Sequence, residues 1–214
     1  TFGLPIKQNF KVPLIGKYNI YNVLVAIIVL SELGINYSDI TDVLAYINAP
    51  AGRMEMIEYN NNRIIIDYAH TPDAIENVIS TVKEVCDGKI YTVFGCTGDR
   101  DSTKRPIMTK LVTDTCNLAI ITCDDIHNED PNRIVDDMLA GLTNTNYIVE
   151  LDRKKAIIEG IKRLENNDVL LILGKGHEEV MIIKDNKTIP FSDRKVVLEY
   201  LETKNLVRIE KIND

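Results

Sequence analysis

Long hydrophobic runs are missing from this sequence. Its most apolar stretch, Val23 to Leu30, is about eight residues, well short of the ~20 that a membrane span needs. The opening Thr1-Phe2-Gly3-Leu4-Pro5 lacks the basic segment and apolar run of a secretory signal. Cysteine is sparse. Cys86, Cys96, Cys116 and Cys123 are scattered, with no C-x-x-C pair and no second Cys or His at ligand spacing. That argues against a metal site and fits reduced thiols in a cytoplasmic protein. Positive charge is in deficit, with 25 Lys+Arg against 32 Asp+Glu and a net charge of −7, which excludes general nucleic-acid binding. Internal repeats and low-complexity segments are absent, and so is the G-x-x-x-x-G-K-[ST] frame that cradles nucleotide phosphates. The first residue is Thr1 rather than methionine, so the chain is expected to begin inside a longer polypeptide.

What is present suits a folded protein with a real core. The 214 residues are 45% hydrophobic and 27% charged, enough for one large domain, or one domain plus a piece of another. Four short apolar runs each end in polar groups. Ile64-Ile65-Ile66 leads into Asp67-Tyr68-Ala69-His70, and Ile90 to Phe94 leads into Gly95-Cys96-Thr97-Gly98-Asp99-Arg100-Asp101. Leu118 to Thr122 leads into Asp124-Asp125-Ile126-His127, and Val169 to Leu173 into Gly174-Lys175-Gly176-His177-Glu178. Four buried strands of this kind predict a mostly parallel sheet with its chemistry at the carboxyl edge.

Helices are expected between the strands. Thr71 caps one that opens on Pro72, Asp130 caps one that opens on Pro131, and Asp152 caps a third. A further helix starts at Pro106, with Lys104 and Arg105 as its solvated lead-in in preference to a phosphate-facing role, and a last one starts near Ser192. Met54 to Tyr59 and Arg63 to Asp67 are predicted to pair across Asn60-Asn61-Asn62. Val180 to Ile183 forms a closing hairpin with Thr188 to Phe191. Strands alternating with helices give an α/β, Rossmann-like domain with flanking helices. Before it, residues 1–17 read as extended with Pro5, Pro13 and Gly16 as breakers. Asn19 to Leu33 reads as a helix apolar on most of its circumference and hence buried, and a second helix follows with Ser38 as its cap. Pro50-Ala51-Gly52-Arg53 marks the boundary, giving domains 1–52 and 53–214.

Three motifs, Asp-Tyr-Ala-His-Thr-Pro-Asp-Ala at 67–74, Gly-Cys-Thr-Gly-Asp-Arg-Asp at 95–101 with Lys-Arg-Pro at 104–106, and Gly-Lys-Gly-His-Glu at 174–178, resemble the Mur ligases in order and spacing. The likeness is nearest to the UDP-N-acetylmuramoyl-tripeptide synthetases. Gly16-Lys17-Tyr18-Asn19-Ile20-Tyr21-Asn22 resembles the end of that family's central, ATP-binding domain, so 1–52 would be a helical remnant of it and 53–214 the C-terminal glutamate ligase domain. The resemblance implies an ATP-dependent ligase. ATP phosphorylates the D-glutamyl carboxyl of UDP-MurNAc-L-Ala-D-Glu, the amine of a free diamino acid attacks, and phosphate leaves. Magnesium ligands and the phosphate cradle would lie upstream of this chain. The expected partners are the UDP-MurNAc-dipeptide and the diamino acid, for a cytoplasmic, monomeric enzyme.

Residue by residue, the resemblance puts Arg100 on the incoming amino acid. A guanidinium fork behind two glycines suits a carboxylate, although an ion pair within its own loop fits the spacing as well. The backbone of Gly174 and the carboxylate of Glu178 would hold the far ammonium, which has donors only; a surface Lys175/Glu178 pair is the plainer alternative. Asp67 would face the ATP ribose and Arg53 the γ-phosphate, with His70 beside them. For Asp67 the alternative is capping the helix after Thr71. The family's diaminopimelate-adding members carry Asp-Asn-Pro-Arg where this chain has Asp124-Asp125-Ile126-His127. An imidazole is a poorer carboxylate clamp than guanidinium, and two aspartates make the site acidic. The substrate-binding set is therefore Arg100, Asp124, Asp125, Ile126, His127, Gly174 and Glu178, with lysine expected as the added amino acid and diaminopimelate as runner-up. Asp124 and Asp125 could instead cap the next turn. A folylpolyglutamate- or cyanophycin-type ligase and a non-catalytic Rossmann-like binding module are the rival readings of the whole.

Overall fold

The structure, a computed structural model, describes residues 9–204; Pro5 lies outside them. The chain divides into two compact units, Thr1–Ala49 and Pro50–Asp214. In the first, α1 (Lys17–Glu32) is followed by α2 (Tyr37–Leu44). Ser38 is not the cap of α2. The helix starts ahead of it, Asn36 is the N-cap, and the Ser38 hydroxyl bonds to Asp39 instead. Nor is α1 buried all round: Ile27 is buried, while Ile20, Leu24 and Ile28 stay exposed. Ile27 packs with Ile40 and Leu44. Within this unit α2, with Phe10, Val12 and Ile47 beside it, gathers on the Ile27 stripe of α1 and leaves the rest exposed.

The second unit opens with an antiparallel pair, β1 (Glu55–Tyr59) and β2 (Asn62–Asp67). Asn60 and Asn61 turn it at φ 48° and 41°, the left-handed conformation that asparagine tolerates. Then come α3 (Pro72–Lys83), β3 (Ile90–Cys96), α4 (Lys104–Thr115), β4 (Leu118–Cys123) and α5 (Pro131–Leu139). They are followed by β5 (Tyr147–Val149), α6 (Arg153–Lys162) and β6 (Val169–Leu173). A separate hairpin of β7 (Val180–Ile183) and β8 (Lys187–Pro190) precedes α7 (Asp193–Thr203).

The main sheet runs β1-β2-β6-β3-β4-β5, parallel throughout except for β1. The four strands marked in the sequence are its adjacent centre. Every residue of β3 and β6 is buried, which is why both read as unbroken apolar runs. On one face Ile64, Ile66, Val93, Ile120, Leu170 and Ile172 pack under Ile157 and Ile161 of α6 and Val197 and Leu201 of α7. The helices α3, α4 and α5 pack side by side, with α4 and α5 against β4. Thr71, Asp130 and Asp152 cap α3, α5 and α6 as expected, each accepting a backbone N–H from the first turn.

The start of α4 differs from expectation. The helix begins at Lys104, and Arg105 is 1% exposed rather than solvated. Pro106 in the first turn costs nothing, since the first N–H groups of a helix have no partner within it. Arg105 can be buried because carboxylates of Glu129 and Asp137 meet it there.

Candidate functional site

At the carboxyl ends of β2, β3, β4 and β6 lies a cleft of about 530 Å³. Arg100, Asp124, Asp125, His127, Gly174 and Glu178 line it, and so does His70. Ile126, Arg53 and Asp67 do not. Ile126 contributes backbone: its N–H donates to Ile182 O at 2.9 Å, tying the loop after β4 to β7. These strand-end loops converge because adjacent parallel strands all finish on one edge.

The loop after β3 carries Arg100 into the cleft, exposed. Among the described residues no carboxylate pairs with it; Asp101 pairs with Lys104 at 3.6 Å. An ion pair within the loop thus does not occupy Arg100, and its fork is available to an anion. Lys104 adds a second cation to the rim. The loop after β4 carries His127 at φ 50°. Its Nδ1 donates to Asn186 Oδ1 at 2.7 Å, leaving Nε2 for another partner.

The acidic groups of the cleft are partly compensated, one ammonium meeting three carboxylates. The ammonium of Lys175 is fully buried and lies 2.8 Å from Asp125 Oδ1, 2.8 Å from Glu178 Oε2 and 3.6 Å from Asp124 Oδ1. Asp125 Oδ1 also accepts from Ile182 N–H, and Asp124 Oδ1 from Asp125 N–H. Neither aspartate caps α5; Asp130 does that. Burial pushes the Asp124 carboxyl up, against the pull of Arg153 and Lys175. Burial would lower the Lys175 pKa, but Asp124, Asp125 and Glu178 together hold it above its ordinary value. Gly174 sits at φ +112°, and a Cβ there would lie 2.6 Å from Asp124 Oδ2, so the loop needs glycine for both reasons.

A second cluster surrounds Tyr68, which also lines the cleft. The Arg53 guanidinium lies 4.8 Å from the Tyr68 ring centre, and His70 and His177 pack on the same ring at 4.8 and 5.5 Å. Asp67 accepts Met54 N–H at 2.7 Å and Ala69 N–H at 2.8 Å, one on each oxygen. Burial raises its pKa against those bonds. Each oxygen keeps a lone pair, so the carboxylate fits hydroxyl donors; it does not cap α3, whose cap is Thr71. Cys96 lines the cleft too, but burial pushes its thiol up to about 12, which makes it a poor nucleophile. Among the described residues no group of three His, Cys, Asp or Glu could hold a metal ion.

Sequence reasoning missed two charged residues here. From the sequence, Lys175 reads as half of a surface pair and Arg105 as a solvated helix start; both are buried. Lys175 follows a wholly buried strand, but so does the exposed Arg100, so its own segment does not mark it as buried. Arg105 had no local signal, since Glu129 and Asp137 lie far along the chain.

This is a carboxyl-edge cleft lined by the cations Arg100 and Lys104 and by a partly compensated acidic cluster, on a Rossmann-like sheet. The chain belongs to the Mur ligase family: the family's profile described as "Mur ligase, glutamate ligase domain" matches residues 52–176. It is 41% identical over 209 residues to the UDP-N-acetylmuramoyl-L-alanyl-D-glutamate--2,6-diaminopimelate ligase of Prochlorococcus marinus, covering 93% of this chain and 41% of that protein. The enzyme of the same name from Clostridium botulinum is 42% identical over 199 residues, covering 92% of this chain and 41% of its own length. A solved structure of a ligase of that name superposes with a TM-score of 0.73 at 32% identity, over 92% of this chain and 41% of that one. Folylpolyglutamate synthase from Thermotoga maritima, at 23% identity and TM-score 0.62 over 78% of this chain and 38% of that one, shares the fold. The chain thus spans about two fifths of the length of the curated relatives it matches.

Proposed function

We propose that this chain is the amino-acid-binding part of an ATP-dependent ligase that joins a diamino acid to UDP-MurNAc-L-Ala-D-Glu in peptidoglycan synthesis, working as a cytoplasmic monomer. The observation that carries this reading is one cleft with Arg100, which has no carboxylate partner among the described residues, on one strand end and Gly174 with Glu178 on another. Arg100 takes a carboxylate of the amino acid, and Glu178 Oε1 takes an ammonium while Oε2 stays with Lys175. Fixing both ends aligns the attacking amine, which is how binding lowers the barrier of a bimolecular step. ATP would meet Arg53, Asp67 and His70 at the Tyr68 cluster, with magnesium held by residues outside this chain.

The amino acid proposed is 2,6-diaminopimelate. The lysine preference expected from the acidic pair is not confirmed by the relatives, whose names carry diaminopimelate. Its physical premise also weakens, because Lys175 offsets part of the charge of Asp124 and Asp125. A zwitterionic distal end, ammonium on Glu178 and carboxylate near His127, then fits as well as a bare ammonium. The test is a competition of meso-diaminopimelate, lysine and ornithine at equal concentration in the full-length polypeptide. Preferential incorporation of lysine would overturn the choice of amino acid; no incorporation of any would overturn the ligase reading.

A further inference from the structure

Arg100 and His127 reach the cleft on two different loops, and one buried side chain ties those loops together. Arg105 forks onto Glu129, Nη2 to Oε1 at 2.7 Å and Nη1 to Oε2 at 2.8 Å. Nη1 also donates to Asp137 Oδ2 at 2.9 Å, and Nη2 to Thr97 O at 3.2 Å. Thr97 belongs to the loop of Arg100, and Glu129 to the loop of His127. Glu129 Oε1 in turn accepts Asp99 N–H, and Asp99 Oδ2 accepts from Asn128 N–H at 3.3 Å and Asn128 Nδ2 at 3.0 Å. Gly98 N–H closes the seam on Asp125 O at 2.7 Å.

The same seam holds two left-handed residues. Asp99 and His127 have φ of 53° and 50°, a conformation uncommon for non-glycine residues, and holding it in register falls to the contacts around them. A planar, permanently charged fork that makes four contacts is suited to that task, and a flexible ammonium is not. Hydrogen bonding to Glu129 raises the Arg105 pKa, and the same bonds lower that of Glu129, so both stay charged across the working range.

We propose that Arg105 is a positioning residue for the incoming amino acid, fixing Arg100 relative to His127 by locking their two loops through Glu129. The inference rests on the ligase reading above and assigns Arg105 no contact with the reacting atoms. Misplacing a binding group by about 1 Å is enough to cost on the order of a hundredfold.

The test uses Arg105→Lys and Glu129→Gln in the full-length polypeptide, with Arg105→Met as the severe variant. The KM for the amino acid should rise roughly ten- to a hundredfold, while the KM values for ATP and for the UDP-linked dipeptide stay within about twofold. A merely structural role would lower the active fraction and leave all three KM values alone. Combining Arg105→Lys with Glu129→Gln should add little to either change, since both break one contact. Hydrogen exchange needs no substrate and reads the tie directly: segments 97–101 and 125–129 should exchange faster in the variants. Unchanged exchange overturns the tie, and faster exchange with unchanged amino-acid KM overturns its role in binding. A wild-type enzyme that incorporates no amino acid overturns the ligase reading, and the role of Arg105 in binding falls with it.

Discussion

Lys175 Nζ lies 2.8 Å from Asp125 Oδ1, in a position without solvent exposure. With Glu178 on its other side at 2.8 Å, this one ammonium holds the loop after β6 against the loop after β4. It also sets the charge that an incoming ligand meets. A buried ion pair adds little net stability over an apolar replacement, but removing one partner strands the others.

Lys175→Met should therefore destabilise strongly, by about 3–5 kcal/mol, a Tm loss of roughly 6–20 °C for a chain of this size. The sign with pH follows from the raised Lys175 pKa. Burial opposes the charge, the three carboxylates outweigh it, and the folded value lies above the ordinary 10.5. A raised pKa contributes stability that is complete below the unfolded value and is lost as pH rises through the folded one. The Tm gap between wild type and Lys175→Met should stay constant through neutral pH and close only above 10.5. A gap that closes near neutrality would contradict the pairing.

Glu129 behaves in the opposite sense. Its hydrogen bonds to Arg105 hold its carboxyl below the ordinary 4.5. Such a group stabilises above the unfolded value, and the benefit is lost as pH falls through the folded one. Glu129→Gln should lower Tm at pH 7, and the difference from wild type should shrink progressively below 4.5. Thermal melts across pH 3 to 8 check this; a difference that persists unchanged in acid would mean the glutamate contributes by shape, not charge.

The elements were legible in the sequence where one segment decides them. β3 and β6 are central, buried on both faces, and so spell out apolar runs that end in polar loops. Thr71, Asp130 and Asp152 are caps set by their own next three residues. Six of the seven residues expected on the amino acid do line one cleft, because strand ends gather on one edge. What stayed hidden depends on distant partners. Arg105 meets Glu129 and Asp137 only after β4 has returned to the sheet, and Lys175 at the end of β6 meets Asp125 at the end of β4 across the intervening β3, which no local pattern encodes. The acidity of Asp124-Asp125 is visible in the sequence, and its partial offset by Lys175 is not. α1 shows the converse error: an apolar circumference says what a helix can bury, not what covers it.

Gly98 is placed by close approach. A Cβ there would lie 2.1 Å from Ile126 O and 2.7 Å from its carbonyl carbon, and backbone cannot yield as a flexible side chain can. Gly98→Ala should push the two loops apart at a cost of about 1–3 kcal/mol, seen as a lower Tm. It should also raise the amino-acid KM, because Arg100 and His127 move with those loops. A variant with wild-type Tm and KM would show that the loops have slack.

The two candidate carboxylate partners can be ranked by substitution. Arg100 is permanently charged, lines the cleft and has no carboxylate partner among the described residues. His127 already gives Nδ1 to Asn186, so at most Nε2 faces a ligand. A guanidinium offers two parallel donors to a carboxylate, and an imidazole offers one. Arg100→Ala in the full-length polypeptide should raise the KM for the amino acid by about 1.5–3 kcal/mol, roughly 10- to 150-fold, the loss of one charge-assisted contact. His127→Ala should raise it less. Running both variants with diaminopimelate and with lysine separates the two ends of the substrate. If His127 matters only for diaminopimelate, its Nε2 serves the distal carboxylate while Arg100 serves the carboxylate common to both. A larger effect for His127→Ala than for Arg100→Ala on both substrates would reverse the ranking and move the principal carboxylate site to the loop after β4.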